Sequence, residues 1–169
     1  MRTAPLLLAA CHAPSGIEDP CADPAVVDVV EVVDGDTIDV DPPVALPGGD
    51  QDRFRLLCID APETYGGAEC WGEEAKVYAR DRIEGTSVQL IFDRECTDTY
   101  GRGLAYVKTW HLLGMGTLFN LEMVREGQAV MIDEYFADYT WCPDMAEAAA
   151  EAREDGVGGW GECSGEPWG

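Results

Sequence analysis

Apolar runs separated by turn residues dominate the first third of the chain. The run VVDVVEVV at 26–33 is β-branched and is followed by an Asp-Gly turn signal, and DTIDV at 36–40 alternates polar and apolar residues. Both patterns are typical of strands. The proline and glycine content of 41–50 favours a loop. FRLLCID at 54–60 then predicts a third strand.

The rest of the chain mixes helical spacing with two further apolar runs. Residues 72–83 place alanine, tyrosine and isoleucine on one helical face before a glycine stop. The runs at 87–92 and 103–110 favour strands, and helices are predicted at 117–127 and 143–156. The pattern predicts an α+β, mainly β fold, a five-stranded Greek-key barrel of the OB type with three helices.

The third predicted strand carries charges that a buried strand rarely tolerates. Arg55 lies near its start, Asp60 lies at its end, and Glu63 follows the break at Pro62. A charge that leaves water needs a partner. Either Arg55 neutralises one of these carboxylates in a structural ion pair, or the strand forms one wall of a site that binds an anion.

Composition indicates a globular chain with a strongly acidic surface. The 169 residues suit one domain with a single core, and 46% of them are hydrophobic. The 33 acids against 11 bases give a formal charge of −22, which does not favour non-specific attraction to nucleic acid. An anionic substrate would therefore be held by a few well-placed arginines. A solvated surface adapted to high salt is the alternative explanation of the charge.

The N-terminal sequence MRTAPLLLAAC resembles a bacterial lipoprotein signal, with LAAC as the lipobox and Cys11 as the lipidated residue. An ordinary frayed terminus or a misplaced start is the alternative. We expect an exported protein, either membrane-anchored through Cys11 or secreted or periplasmic. The expected segments are a signal at 1–11, a flexible tether at 12–25, the domain at 26–163 and a tail at 164–169.

Six cysteines remain if Cys11 is the lipid anchor, and an even set in an exported domain predicts up to three disulfides. One or two free buried thiols are the alternative. Zinc is not expected, because CxxC pairs are absent and the only histidines are His12 and His111. The six are Cys21, Cys58, Cys70, Cys96, Cys142 and Cys163.

Three charged motifs occur in a characteristic order. DGDT at 34–37, RLLCIDAPE at 55–63 and YGRGLAY at 100–106 together resemble the staphylococcal nuclease (thermonuclease) family. The resemblance runs from about Val29 to Trp160 and implies an OB barrel with three helices. It also implies that the end of the third strand lies near the start of the last helix, which makes Cys58–Cys142 our first choice of disulfide.

The resemblance implies one site that is built from residues of these motifs. The catalytic residues that it implies are Arg55, Glu63 and Arg102. Its calcium ligands are Asp36, Asp60 and the backbone carbonyl of Ala61, where the family usually has threonine. Its nucleotide contacts are Tyr100 and Tyr135. Several alternatives stay open. Asp34 is either a partner of the metal ligands or only a turn residue, and the whole DGD sequence could be only a tight turn. Each tyrosine could be a packing residue instead of a nucleotide contact.

These residue types suit phosphodiester hydrolysis. An arginine guanidinium binds two phosphate oxygens at once and stays charged. A carboxylate can activate water, and a hard cation such as calcium takes oxygen ligands. We therefore expect a monomeric, calcium-dependent nuclease that cuts DNA and RNA with little sequence preference. By resemblance it would cut the P–O5′ bond and leave 3′-phosphates. The alternatives are a non-catalytic module that binds nucleic acid or protein, and a calcium-binding structural lipoprotein.

Overall fold

The computed structural model describes residues 20–66, 69–110, 116–132 and 138–164. The expected signal, Cys11 and Tyr135 lie outside the described residues. Within the described part, no helix has the length and apolar character needed to cross a membrane.

Five strands form a closed barrel, and a separate pair of short strands lies beside it. The barrel strands, in chain order, are β1 (Ala25–Asp34), β2 (Thr37–Leu46), β3 (Gly49–Leu56), β5 (Ser87–Ile91) and β6 (Gly103–Lys108). The short pair is β4 (Ile59–Asp60) and β7 (Val130–Met131). The barrel order is β1-β2-β3-β6-β5, and only β3 and β6 pair in parallel. The predicted five-stranded barrel is confirmed.

The predicted loop at 41–50 is wrong, because β2 and β3 extend through most of it. The two prolines, Pro42 and Pro43, lie where the pairing of β2 with β3 shifts register, between Asp39 and Val44. Prolines are tolerated there because the irregular step needs no ladder hydrogen bond from them. The turn is formed by Pro47 and Gly48, between the two strands.

The third predicted strand is interrupted before its end. β3 stops at Leu56, and Cys58 adopts a left-handed backbone conformation with φ 66°. The chain resumes as β4, which pairs with β7 rather than with the barrel. The interruption turns Asp60 back toward Arg55, which an uninterrupted strand would not allow.

Helices cover the barrel close to their predicted positions. They are α1 (Gly72–Ile83), α2 (Phe119–Arg125), α3 (Cys142–Asp155) and the single turn α4 (Gly159–Glu162). The buried Asn120 in α2 accepts a hydrogen bond from Val107 N at 2.8 Å and donates one to Leu57 O at 3.0 Å. These two bonds attach α2 to the barrel at the level of the β3 turn.

Three disulfides link distant parts of the described chain: Cys21–Cys96, Cys58–Cys142 and Cys70–Cys163. The Cys58–Cys142 prediction is confirmed, and the other two pairings were not predicted. Cys21 also donates its amide hydrogen to Asp93 O at 2.7 Å, and Ala25 already belongs to β1. Of the expected tether over 12–25, Cys21 and Ala25 thus bond to the domain or belong to it, and residues 12–19 lie outside the described residues.

Candidate active site

The guanidinium of Arg55 joins two carboxylates at one end of the barrel. It forms ion pairs with Asp36 and Asp60, and its Nη2 also donates to Ile59 O at 3.1 Å. Arg55 lies near the end of β3, opposite Thr37 of β2 and Leu104 of β6. The charge that is unusual for a strand is therefore paired, and it is paired twice.

Asp36 is the buried member of this group, with 1% of its side chain exposed. Its Oδ1 accepts the Thr37 hydroxyl at 3.1 Å, and its Oδ2 accepts the Ala61 amide at 2.6 Å. Asp34 Oδ1 accepts the Asp36 amide at 3.2 Å, as in a turn closed by an aspartate side chain. The turn thus has a structural role, and it presents Asp36 to Arg55 and Ala61.

Gly35 is needed for this close approach. A Cβ at this position would meet the methyl group of Ala61 well inside van der Waals contact. Only glycine therefore lets the β1–β2 turn pack against the segment after β4.

The acidic residues of this group suit a hard cation. Asp36 and Asp60 share one guanidinium and so keep one net negative charge, and the Asp60 side chain is 51% exposed. Within the described residues, no three His, Cys, Asp or Glu side chains cluster as a metal site. A cation here would need a backbone carbonyl, for which Ala61 is adjacent, together with water or substrate oxygens. Such an all-oxygen set fits calcium.

Glu63 lies three residues past Asp60, beyond the buried Pro62, and is exposed. Within the described part of the chain, its carboxylate has no hydrogen-bond or ion-pair partner. Its backbone is held instead, since its amide donates to Glu69 Oε2 at 3.0 Å and its carbonyl accepts the Glu69 amide at 3.0 Å. The carboxylate is open to water while its main chain is fixed.

Arg102 immediately precedes β6, whose first residue, Gly103, pairs with Phe54 beside Arg55. Asp98 holds it through two bonds, from Arg102 Nε at 2.7 Å and from the Arg102 amide at 2.9 Å. One third of the Arg102 side chain is exposed. Because Asp98 engages Nε, the two terminal amino groups can bind a ligand.

The predicted residues are placed unevenly. The structure brings Arg55, Asp36, Asp60 and Ala61 into one contact group. Glu63 lies three residues after Asp60, and Arg102 directly precedes β6, the strand that pairs with β3. Tyr100 is 84% exposed, and its ring lies 5.6 Å from the Arg102 guanidinium, so packing does not explain it.

Sequence reasoning missed three residues near the site. Asp98 lies four residues before Arg102, and this spacing inside a turn could have predicted its contacts. The contacts of Glu69 with Glu63 were not predicted, because they depend on the folded loop. Tyr65 is 73% exposed with the Lys76 ammonium 5.3 Å from its ring centre, and no sequence signal distinguished it.

The described residues combine an OB-type barrel with two paired carboxylates, two arginines and an exposed glutamate. The family model described as "Staphylococcal nuclease homologue" matches residues 53–162. The chain belongs to the staphylococcal nuclease family. The matched range contains Arg55, Asp60, Glu63 and Arg102 but not Asp36, which joins the site only through the fold.

The chain is similar to curated relatives, two of which are named thermonucleases. The chain is 33% identical over 136 residues to an uncharacterized protein of Bacillus anthracis, covering 78% of this chain and 59% of that protein. It is 38% identical over 104 residues to a thermonuclease of Staphylococcus intermedius, covering 60% of this chain and 56% of that protein. A thermonuclease of Staphylococcus hyicus is 35% identical over 129 residues, covering 75% of this chain and 70% of that protein. The chain thus spans under two thirds of the first two relatives.

Proposed function

We propose that this protein is a calcium-dependent nuclease that hydrolyses phosphodiester bonds in DNA and RNA. The observation that carries the proposal is the contact group in which Arg55 joins Asp36 and Asp60. The exposed carboxylate of Glu63 follows Asp60 by three residues. Two relatives named thermonucleases support the same activity. In this proposal Glu63 is the base, and Arg55 and Arg102 bind the phosphate.

In this proposal the arginines bind the scissile phosphate. Arg102 offers its terminal amino groups, because Asp98 fixes Nε and so orients the guanidinium. Arg55 lies on the adjacent strand, between the two carboxylates. Paired arginine donors bind phosphate oxygens and stabilise the charge that builds on them as the bond breaks.

Glu63 is the proposed general base. Its exposed carboxylate accepts a proton from the water that attacks phosphorus, and the leaving oxygen departs on the opposite side. The carboxylate has no competing partner within the described residues, so it is available to water. Cleavage of the P–O5′ bond leaves a 3′-phosphate.

Asp36, Asp60 and the Ala61 carbonyl are the proposed protein ligands of calcium. The bound ion would orient the phosphate and offset its charge. Arg55 pairs with both carboxylates, so it offsets one of their two negative charges and keeps them together. Tyr100 is exposed beside Arg102 and is proposed to contact the nucleotide, and Tyr135 is proposed for the same role by resemblance.

We also propose that the protein is exported. Three disulfides support this, because such crosslinks persist in oxidising compartments. Anchoring through a lipid on Cys11 and a monomeric state remain parts of the proposal. Mass spectrometry of the mature protein tests the anchor, and an unmodified Cys11 would reject it.

The activity is tested by digestion of single-stranded DNA, duplex DNA and RNA in millimolar calcium and again in excess chelator. We expect cleavage of the nucleic acids in calcium and none in chelator, with 3′-phosphate ends on the products. Full activity in chelator would reject the metal assignment. Binding without cleavage in calcium would favour a nucleic-acid-binding module.

A further inference from the structure

Glu63 is attached to Glu69 by a pair of reciprocal hydrogen bonds. The Glu63 amide donates to the Glu69 carboxylate at 3.0 Å, and the Glu69 amide donates to the Glu63 carbonyl at 3.0 Å. We call this pair the Glu63–Glu69 clamp. One of its two bonds uses a side chain, so a single substitution can remove that bond.

The Glu69 end of the clamp is joined to the other end of the domain. Cys70 is disulfide-bonded to Cys163, which directly follows α4, with a Cα–Cα distance of 6.0 Å. Gly72 packs so closely on the same segment that a Cβ there would lie 2.8 Å from the Glu63 carbonyl oxygen. The residues around Glu69 therefore have a covalent attachment, while Glu63 itself is exposed and has no buried side chain to fix it.

We propose that Glu69 and the Cys70–Cys163 disulfide are positioning residues for Glu63. Glu69 fixes the main chain of Glu63, and the disulfide fixes Glu69. The inference rests on the proposed role of Glu63 as the base. It adds a dependence on one disulfide that nothing in the charged motifs implies.

The physical reason is the precision that proton transfer requires. A base displaced by about 1 Å can cost about 10²-fold in rate. Arg55 is held by β-strand pairing and by Asp36 and Asp60, and Arg102 is held by Asp98, independently of the clamp. Loss of the clamp should therefore lower kcat and leave KM nearly unchanged, because the phosphate contacts remain.

The first experiment compares three variants with the wild-type protein in calcium. Glu69→Ala should lower kcat about 10-fold with KM within about 2-fold. Glu69→Gln should restore most of kcat, because its amide oxygen still accepts the Glu63 amide. Glu73→Ala is the matched control, an exposed acid in the first turn of α1 with the same charge change, and it should behave as wild type.

The second experiment tests whether the disulfide acts through the same clamp. Cys70→Ser combined with Cys163→Ser should lower kcat to about the Glu69→Ala level. Adding Glu69→Ala to this pair should produce little further loss, because residues that act as one unit are not additive. Independent, multiplying losses would show that the disulfide does not act through Glu69 and would overturn that step.

A readout without turnover separates this inference from the proposed function. Hydrogen exchange of the Glu63 amide should become at least about 10-fold faster in Glu69→Ala and in the disulfide variant, and stay slow in Glu69→Gln. Unchanged exchange in Glu69→Ala would overturn the clamp, even if the protein proves to be a nuclease. Absence of calcium-dependent cleavage by the wild type would reject the proposed function instead. The exchange measurement would still test the Glu63–Glu69 clamp, because it does not depend on turnover.

Discussion

At the residue scale, Arg55 shows how a charged side chain on a strand is accommodated by ion pairs. Arg55 was open to interpretation as a structural ion pair or as part of an anion site, and the structure shows that it is paired with Asp36 and Asp60. The charge on a strand could be predicted to need a partner. The second partner could not be predicted, because Asp36 lies in the β1–β2 turn and Asp60 returns only through the turn at Cys58.

Replacement of Arg55 should therefore affect stability as well as turnover. Arg55→Ala leaves Asp36, which is 1% exposed, without its cation. Breaking a buried pair in this way costs about 3 kcal/mol of unfolding free energy. Urea unfolding in chelator, with the disulfides intact, measures it.

The exposed Glu63 supplies the contrast for that measurement. Glu63→Gln should leave the free energy of unfolding within about 0.5 kcal/mol of wild type, since surface substitutions have small effects. Adding Asp36→Asn to Arg55→Ala should recover part of the lost stability. An Arg55→Ala protein as stable as wild type would mean that the pair does not stabilise the fold.

At the element scale, long patterns predicted well and short or irregular ones did not. The strands β5 and β6 and the helix α1 lie where alternation and helical spacing placed them. The loop prediction at 41–50 failed because composition cannot show that a register shift accommodates Pro42 and Pro43 within a strand. The pair β4 and β7 has two residues in each strand, which is too short for any periodicity.

The Cys58–Cys142 disulfide should be a major source of stability. It connects the turn after β3 to the first residue of α3, and the two cysteines lie 84 positions apart in the sequence. Both side chains are fully buried. Replacing both with alanine should lower the free energy of unfolding by about 2–4 kcal/mol, chiefly because the unfolded chain gains freedom.

Urea unfolding of the Cys58→Ala/Cys142→Ala protein provides the check, with circular dichroism as the probe. The unfolding midpoint should fall while the folded spectrum stays that of the wild type. A midpoint equal to that of wild type would show that the crosslink adds nothing to packing of the same residues.

At the scale of the whole molecule, charge and crosslinks differ in how far sequence predicts them. The formal charge of −22 is counted from the sequence, and it directly predicts an acidic surface that does not attract nucleic acid. The barrel could be predicted from strand number and from the resemblance. The pairings Cys21–Cys96 and Cys70–Cys163 could not, because they depend on how the chain ends pack against the domain.

The acidic surface should make activity tolerant of salt. In the proposed function, nucleic acid is repelled at long range and held by Arg55, Arg102 and calcium. Binding through two or three phosphate contacts gives a log–log salt slope of about −1 to −2 for single strands. Salt also screens the general repulsion. Initial rates against sodium chloride, at fixed calcium and subsaturating substrate, should therefore fall shallowly or rise.

A steep fall in that titration would be the opposite result. A loss of about 10³-fold between roughly 50 and 200 mM salt is what many phosphate contacts produce. It would mean that an extended basic surface binds the substrate, contrary to the proposed function.

The central claim is that Glu63 is the base of a calcium-dependent hydrolytic site. The most direct measurement is turnover of single-stranded DNA in saturating calcium by wild type, Glu63→Gln and the matched surface variant Glu73→Gln. We predict that Glu63→Gln loses at least about 10²-fold in kcat while Glu73→Gln keeps the wild-type rate, with all three proteins equally folded. A Glu63→Gln protein that turns over at a near-normal rate would contradict the account.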